Sequence, residues 1–555
     1  MSKMTARPTT ADLAEKYRRY LESRLEQNKF EHELAEKRIP QPTKSKMGQP
    51  GSFTVGIVGG GMAGLYSALL LRNFGIPVKI FEAENRVGGR VYTYRFSDEE
   101  YQYFEGGAMR LPDVSWQKPV FDLIDYLNKR VPPASRIETI PYTFSYPSGN
   151  RVYVNATKQK DGKIMTVDYA NAHLDELGFP RTAEATVEAS QYLHDAIEPV
   201  RQELQKDFPA ALKKYDSKSL FYYLYNDLGW SDAKINYVEV MTSQTNEFQE
   251  GLVDQAILDA DFIGPGGPAS WKTINHGMSR LPEAVAMEVG EDNIHKLSKI
   301  VSIAYLKDGR IQLKYEKFKT SEKKESTSHQ ETFDAVILAV PPNSVQMLGS
   351  KPTPPVWPVE LQAGFRSIHF QPLYKIGLRF KSRFWERKEV RPSLGGQSIS
   401  DLPCRWVVYP SYGIGDKRKG VLLQYSWMTD ANHWLPASET EKVQLALQYL
   451  QELYPDVNIP EEYAGSACEE DFLKEAFSIE WAAKWPLGDA TFYANQFTTL
   501  WPRMVLPRGN IFFAGEHLSV YHTWIVGAMD SAKVAVQQLL RKNIDPKATV
   551  SFLKP

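Results

Sequence analysis

The sequence predicts an α/β protein, and three consecutive stretches near the start of its 555 residues carry most of that prediction. Residues 53–58 form a short apolar run, residues 62–74 have a helical pattern, and residues 77–81 form a second apolar run. Together they make a βαβ unit of about thirty residues. Helical patterns fill residues 183–260. Strand patterns return later in the chain, at 297–303, 310–316 and 333–340.

Composition and charge exclude several classes of protein. The 66 Lys and Arg residues balance 67 Asp and Glu residues, so no global charge favours nucleic acid or an anionic membrane as a partner. Cys404 and Cys468 cannot form a disulfide framework and lack the spacing of a zinc site, so no metal is expected. No apolar stretch has the pattern of a signal peptide or a transmembrane helix. We therefore expect a cytoplasmic protein.

A glycine pattern lies between the first apolar run and the first helix. Gly59, Gly61 and Gly64 form G-x-G-x-x-G. Small residues at this junction let the backbone approach a pyrophosphate, and the amides of Met62 and Ala63 at the helix N-terminus would bind its charge. The pattern therefore predicts a dinucleotide site.

The residues after the second apolar run narrow the choice of dinucleotide. Glu82 ends that run, where a carboxylate can accept hydrogen bonds from both ribose hydroxyls and disfavours a 2′-phosphate. NADP is therefore not expected. The chain continues as R-x-G-G-R-x-x-T, formed by Arg86, Gly88, Gly89, Arg90 and Thr93. The glycine pair allows a second close backbone approach, and a guanidinium can bind a second phosphate.

These joined glycine motifs resemble the signature of the flavin-containing amine oxidase superfamily, which implies FAD as the cofactor. The resemblance implies an FAD-binding Rossmann-like domain, a mixed-sheet substrate domain and a helical insertion. The expected arrangement is an N-terminal helix and linker at 1–50, FAD-binding segments at 51–98, 269–348 and 495–555, substrate-binding segments at 99–165 and 349–494, and a helical domain at 166–268.

The resemblance also assigns FAD contacts in later segments. The motif A-G-E ends in Gly515 and Glu516, and the helix after Trp524 would present its N-terminus to the flavin. The expected contacts are Gly59, Gly61, Met62, Ala63, Gly64, Glu82, Ala83, Arg86, Gly89, Arg90, Gly107, Ala108, Met109, Arg110, Val301, Trp481, Gly515, Glu516, Trp524 and Ile525. The stretch "WPLGDATFY" lacks the cysteine that attaches flavin in monoamine oxidases, so non-covalent FAD is expected.

The segment "FEGGAMRLPD" resembles the G-x-M-R-L-P segment of L-amino-acid oxidases. The resemblance implies that Arg110 binds the substrate carboxylate through a bidentate pair, and that Tyr409 also touches it. Lys375 matches a lysine that holds a water against flavin N5. Trp524 lies in "YHTWI" and would stand beside the substrate amine, although Thr523 replaces a family glycine there.

The resemblance thus implies an FAD-dependent L-amino-acid oxidase that converts an L-amino acid and O2 into a 2-oxo acid, ammonia and H2O2. The many aromatic residues suggest a wide pocket with a hydrophobic or aromatic preference. A homo-oligomer is expected. Three alternatives stay open: an amine or polyamine oxidase, an amino-acid 2-monooxygenase, and a flavin-binding module without turnover.

Overall fold

The structure is a computed structural model. It describes residues 15–17, 19–20, 23, 52–179, 188–261, 263–264, 267–349, 357–466, 468–481 and 488–555. The expected N-terminal helix and linker at 1–50 lie largely outside the described residues. Tyr17, which is described, is helical and stacks on Trp501 with ring centroids 4.0 Å apart.

A five-stranded parallel sheet forms the centre of the first layer. In spatial order its strands are Ile294–His295, Val78–Phe81, Val55–Val58, Ala335–Leu338 and Ile511–Phe513. Val55–Val58 is buried along its whole length, as expected for a parallel strand covered on both faces. Because the strands are parallel, their carboxyl ends meet at one edge. This edge brings together segments that are hundreds of residues apart in the chain.

Three helices pack near this sheet: Met62–Asn73, Arg280–Val289 and Ile525–Asn543. Met62–Asn73 is apolar almost all round, and its first ten residues are buried. Such a helix belongs in a core. Its N-terminus and that of Ile525–Asn543 both lie at the carboxyl edge of the sheet, because each directly follows a strand or turn from that edge.

A seven-stranded mixed sheet forms the second layer. In spatial order its strands are Ala476–Trp481, Leu373–Phe380, Gly420–Trp427, Trp406–Val408, Gln397–Ser400, Arg151–Tyr153 and Met165–Thr166. All neighbours are antiparallel except the pair that aligns Ile399 with Val152. The helix Glu439–Leu453 covers one face and builds a separate apolar core with it. The predicted α/β class, with a mixed sheet beside a Rossmann-like sheet, is confirmed.

Smaller sheets complete the fold. The antiparallel set is Ser298–Tyr305, Ile311–Phe318 and Ser326–Phe333, and the others are Leu111–Pro112 with Trp271–Ile274 and Thr139–Pro141, Thr93–Arg95 with Tyr103–Glu105, His369–Phe370 with Ala490–Thr491, and Ile263–Gly264 with Gly267–Pro268. The strand Ser326–Phe333 is mostly exposed, so the polar run that precedes the strand 335–338 is largely an edge hairpin.

Helices dominate the stretch between the first strands of the mixed sheet and its later ones. They are Val167–Ala172, Ala189–Lys206, Phe208–Tyr215, Leu220–Tyr222, Asp232–Met241 and Leu252–Asp261. Other helices are Lys118–Asn128, Pro342–Gly349, Val359–Ser367, Met428–Asn432, Ile459–Glu462, Glu469–Lys474, Gln496–Thr499 and Trp501–Met504. Within the described ranges, no helix combines the length and the apolar character needed to cross a membrane.

Candidate active site

One cavity of about 1170 Å³ lies where the parallel sheet, the mixed sheet and the helical stretch meet. This volume exceeds the usual range for a small-molecule pocket, which is about 300–1,000 Å³. Every expected FAD contact lines the cavity except Gly64 and Val301. Segments from the start, the middle and the end of the chain thus contribute to one space.

Two glycines leave part of the cavity wall open. A Cβ atom on Gly61 would meet only the Cα of Gly89, at 3.9 Å, and one on Gly89 would meet only the Cα of Gly61, at 3.3 Å. Gly61 is also the N-cap of Met62–Asn73 and gives that helix no side-chain cap. Bare backbone and uncapped amides therefore face the cavity together, which is the arrangement that binds a pyrophosphate. The wall fits a dinucleotide such as FAD.

Gly64 serves the same motif without lining the cavity. A Cβ at this position would lie 2.0 Å from the carbonyl oxygen of Gly59. The residue therefore lets the helix pack closely on the strand end. The expectation that Gly64 touches the cofactor is corrected to a packing role.

Glu82 lies at the carboxyl end of its strand and lines the cavity. Its two carboxylate oxygens accept hydrogen bonds from the amides of Gly60 and Glu84, both at 2.7 Å. Burial raises the pKa of Glu82, although these two hydrogen bonds and Arg86 oppose the increase. Each carboxylate oxygen can accept a second hydrogen bond, so Glu82 keeps capacity for the hydroxyls of a ribose.

Arg90 and Glu516 join the second glycine motif to the A-G-E motif. Arg90 Nη1 lies 2.7 Å from Glu516 Oε1 and 2.6 Å from the carbonyl oxygen of Gly488. Burial alone would raise the pKa of Glu516, but the charges of Arg90 and His517 and the hydrogen bonds from the Thr523 amide and Arg90 hold it below its usual value. Glu516 is therefore a carboxylate at neutral pH, and it fixes the Arg90 guanidinium at the cavity wall.

The turn before the last helix departs from the family at one residue but keeps the backbone of a glycine. Thr523 has a φ of 70°, in the left-handed region that β-branched residues rarely adopt. Its amide donates to Glu516 Oε2 at 2.9 Å, which helps hold this conformation. Trp524 and Ile525 then line the cavity at an N-terminus without a side-chain cap. A positive helix end at this place favours negative charge on a bound group.

The segment that carries Arg110 is fixed by two side chains from the mixed sheet. Lys375 Nζ donates to the carbonyl oxygens of Gly107 at 2.5 Å and Glu105 at 3.2 Å. Trp481 Nε1 donates to the carbonyl oxygen of Gly106 at 2.7 Å. The neighbouring strands Leu373–Phe380 and Ala476–Trp481 place Lys375 and Trp481 on the same side of the sheet. Both residues line the cavity.

Lys375 is buried, and its environment changes its proton affinity. The pKa of Lys375 is lowered to about 7, mainly by burial; Glu105 opposes the decrease, Arg110 adds to it, and Asp489 opposes it. Its amine lies 4.5 Å from the centroid of the Tyr425 ring. A lysine in this state is largely neutral above pH 7, so its nitrogen can accept a hydrogen bond as well as donate.

Arg110 projects among aromatic rings. Its guanidinium carbon lies 4.7 Å from the ring centroid of Phe144, 5.3 Å from that of Trp271 and 5.4 Å from that of Trp406. Its Nη1 atom is buried and has no hydrogen-bond partner, and no carboxylate among the described residues forms an ion pair with the guanidinium. A buried guanidinium without an anion is costly. The cavity is therefore built to receive an anionic group at Arg110.

Tyr409 does not line the cavity, and the prediction that it touches the substrate is wrong. Along the strand ending at Val408, Trp406 faces the cavity and Tyr409 faces the opposite core, because successive side chains alternate. Tyr409 is fully buried, and its hydroxyl oxygen accepts a hydrogen bond from Tyr454 at 2.7 Å. It is a core residue.

The expected FAD contact at Val301 is also shifted by one residue along the chain. Ser298, Lys299 and Ile300 line the cavity, whereas Val301 does not. The ladder with the strand Ile311–Phe318 is irregular between Ile300 and Ser302 and leaves Val301 unpaired. A one-residue shift turns a strand side chain to the other face. Ile300 therefore takes the place expected for Val301.

Several residues that line the cavity are not predicted from the sequence. Tyr425 and Trp427 lie two residues apart on one strand, and Tyr425 is directly opposite Lys375. The alternation in "LLQYSW" and the neighbouring strand of Lys375 could have indicated both. Glu247 and Asp489 also line the cavity. They come from separate segments, so no spacing in the sequence connects them.

The fold and the site define a protein with a Rossmann-like sheet and one large cavity whose wall fits a dinucleotide. Comparison with known proteins identifies the class: residues 62–540 match the family described as flavin containing amine oxidoreductase. The chain belongs to this family. The predicted family is confirmed, and with it a flavin cofactor and an oxidoreductase activity on small amines with O2.

Individual relatives are distant. The chain is 28% identical over 92% of its length to a Dictyostelium discoideum protein with the provisional name bifunctional amine oxidase, but it spans only 48% of that protein. It is 29% identical to L-amino-acid oxidase 4 of Hebeloma cylindrosporum, over 92% of this chain and 85% of the relative. Putrescine oxidase bound to putrescine has the same fold, with a TM-score of 0.65, 19% identity and coverage of 88% of this chain and 99% of that one.

Proposed function

We propose that the protein is an FAD-dependent L-amino-acid oxidase, which oxidises an L-amino acid to an imino acid that water converts to a 2-oxo acid and ammonia. The observation that carries the proposal is Arg110, which is half-buried, has a buried Nη1 atom without a hydrogen-bond partner, and has no anionic partner among the described residues. It lines one cavity together with Lys375 and Trp524. A carboxylate would supply the missing partner through two parallel charge-assisted hydrogen bonds. A simple amine would leave Arg110 unpaired.

The cofactor in this proposal is non-covalent FAD. Gly61, Gly89 and the N-terminus of Met62–Asn73 would hold its pyrophosphate, and Glu82 its ribose. When bound in this place, FAD would supply an acceptor for the hydride of the substrate Cα and a donor of electrons to O2. Trp481 and Trp524 line the same cavity and would exclude water from the reacting atoms.

The side chains of this protein orient the substrate and manage protons. Arg110 fixes the carboxylate. Tyr425 lines the same cavity, and the charge of Arg110 acts on its hydroxyl. With the carboxylate fixed, only one enantiomer can direct its Cα hydrogen at the cofactor, so we expect specificity for L-amino acids. No strong general base is required if the amine arrives deprotonated, and the lowered pKa of Lys375 provides an acceptor for a proton through water.

Product analysis tests the proposed reaction. An oxidase releases ammonia, a 2-oxo acid and H2O2 in equal amounts from an L-amino acid. An amino-acid 2-monooxygenase instead gives an amide with loss of CO2 and no free ammonia. Detection of the amide as the main product would reject the oxidase and favour the monooxygenase.

FAD is expected to leave the polypeptide when the protein is denatured. The chain has Asp489 in the stretch where monoamine oxidases carry the attachment cysteine, and its two cysteines lie elsewhere, Cys404 in a buried core position. Residues 485–487 of that stretch lie outside the described residues. After precipitation with acid, the flavin absorbance should be found in the supernatant with the chromatographic mobility of FAD. Absorbance that stays with the precipitate would contradict a non-covalent cofactor.

Replacing Lys375 by Met is expected to slow the reaction with O2 more than the reduction by substrate. The methionine keeps the length of the side chain but removes the amine that holds a water beside the cofactor. Stopped-flow measurement of each half-reaction separates the two effects. Because Lys375 also donates to the carbonyls of Gly107 and Glu105, flavin content must be compared first. Equal slowing of both half-reactions would show that Lys375 only supports the Arg110 segment.

A further inference from the structure

Two carboxylates on the cavity wall are not used by the proposed reaction. Glu247 lies in the turn after the helix Asp232–Met241, and Asp489 precedes the strand Ala490–Thr491. Among the described residues, no side chain forms an ion pair with either carboxylate, and Asp489 Oδ1 is buried without a hydrogen-bond partner. Burial raises the pKa of Asp489 to about 6 and that of Glu247 well above its usual value. Each acid therefore lacks a cation.

The cationic side chains near Glu247 and Asp489 already interact with other groups. Arg405 acts on Glu247, but it lies 3.5 Å from Asp430 and donates to the carbonyl oxygen of Ser400. Arg90, Lys375 and His522 act on Asp489. Arg90 is paired with Glu516, Lys375 donates to the carbonyl oxygens of Gly107 and Glu105, and His522 lies 2.9 Å from Asp254. Glu250 and Asp254, buried behind the wall, add further negative charge that raises the pKa of Glu247. This part of the cavity therefore has more acidic groups than free cations, and a cationic ligand would favour their charged forms.

A second observation comes from neutral side chains in the same region. Ser243 is 1% exposed and lines the cavity, yet its hydroxyl has no hydrogen-bond partner. Gln244 lines the cavity beside it, and its Oε1 atom is also buried without a donor. Buried polar atoms normally have partners, so each unsatisfied one points to a group that binds there. Together with Asp489 Oδ1, these atoms are acceptors that lack a donor.

Glu247, Asp489 and Arg110 all affect the pKa of the Tyr425 hydroxyl. Burial is the main cause of the raised pKa of the Tyr425 hydroxyl; Asp489 and Glu247 raise it further, and Arg110 lowers it. Arg110, Tyr425, Glu247 and Asp489 also line the same cavity, so a molecule bound there would be exposed to an anion-binding group and to the acids. On the side of Arg110, the unpartnered buried atoms are donors, namely Arg110 Nη1, Trp406 Nε1 and Trp427 Nε1.

We propose that the cavity selects L-amino acids whose side chain ends in a cation, with Glu247 and Asp489 binding the cationic group and Ser243 and Gln244 completing its hydrogen bonds. An ammonium has three donors and no acceptor, and a guanidinium has five donors, so either group matches a wall of acceptors. This inference rests on the proposed function and specifies its substrate. It also changes the expectation of a hydrophobic or aromatic preference, because a neutral side chain would leave both acids unpaired.

Pairs of substrates that differ only by the terminal ammonium test this inference. L-lysine is compared with L-norleucine, and L-ornithine with L-norvaline, by the rate of anaerobic flavin reduction as a function of substrate concentration. We expect the wild type to favour the charged member of each pair by about tenfold or more in kcat/KM. Cadaverine, the decarboxylated form of L-lysine, is included as an amine without a carboxylate.

Two variants and a control locate the effect. Asp489→Asn and Glu247→Gln should each lower the ratio of L-lysine to L-norleucine by about tenfold, mainly through weaker binding of L-lysine. Asp195→Asn removes one charge from an exposed site in the same helical stretch and should leave the ratio unchanged. A wild type that oxidises L-norleucine at least as well as L-lysine, or variants that keep the wild-type ratio, would overturn the inference. Reduction by cadaverine and by no L-amino acid would instead reject the proposed oxidase.

Discussion

Replacing Arg110 by Ala is expected to lower kcat/KM for L-amino acids by about 1.4 to 3.6 orders of magnitude. The guanidinium is buried among aromatic rings and has no anion of its own in the protein. A bidentate, charge-assisted pair in such a site contributes about 2–5 kcal/mol. Since about 1.4 kcal/mol corresponds to a factor of ten, the expected loss follows directly.

The decarboxylated amine provides the comparison for this variant. It never makes the carboxylate contact, so its kcat/KM should stay level or increase relative to that of the amino acid. Arg110→Lys keeps the positive charge but loses the planar fork, and we expect an intermediate loss. Near-normal turnover of L-amino acids by Arg110→Ala, at matched flavin content, would show that the carboxylate binds elsewhere.

Two glycines of the same motif are expected to respond differently to valine. Gly61 has an extended backbone, and a Cβ there meets only the Gly89 Cα at 3.9 Å, so Gly61→Val should fold. Its side chain would occupy the space where the pyrophosphate is proposed to lie. We expect flavin content to fall by about tenfold or more while the unfolding temperature of the apoprotein stays close to that of the wild type.

Gly64→Val should instead damage the fold itself. The added Cβ would lie 2.0 Å from the carbonyl oxygen of Gly59, inside a helix that is buried on all sides. Overpacking of this kind costs about 1–3 kcal/mol or more, so the apoprotein should unfold at a lower temperature. Thermal unfolding of both apoproteins, together with flavin content after purification with excess FAD, separates the two effects. A Gly61→Val protein that retains full flavin content would contradict the proposed cradle.

The sequence predicts the parts of the site that depend on the spacing of residues close together in the chain. G-x-G-x-x-G, Glu82 and the second glycine motif are contiguous, and each has a direct chemical reason to lie at a strand end. The structure places all of these residues around one cavity except Gly64 and Thr93. Arg110 and Lys375 were also predicted, through resemblance, and their separation of 265 positions is closed by the hydrogen bond from Lys375 Nζ to Gly107 O at 2.5 Å.

The errors have a common physical origin. Side chains alternate along a strand, so the choice between Tyr409 and a cavity residue depends on which face of the mixed sheet is covered by Glu439–Leu453. Which face of the sheet the helix covers depends on the tertiary structure, so the local sequence does not reveal it. Val301 was misplaced for a similar reason, because a local irregularity after Ile300 changes the register. Glu247 and Asp489 were missed because the fold alone brings their segments together.

Anaerobic mixing of the holoprotein with matched substrates tests the central claim most directly. The set is L-lysine and L-leucine, their D-enantiomers, and the amines cadaverine and isoamylamine, with the flavin absorbance followed over time. If the protein is an L-amino-acid oxidase that uses Arg110 to bind the carboxylate, absorbance is lost with the L-amino acids and persists with the D-enantiomers and the amines. Loss of absorbance with an amine at a rate equal to or above that of its parent L-amino acid would contradict the claim and identify an amine oxidase.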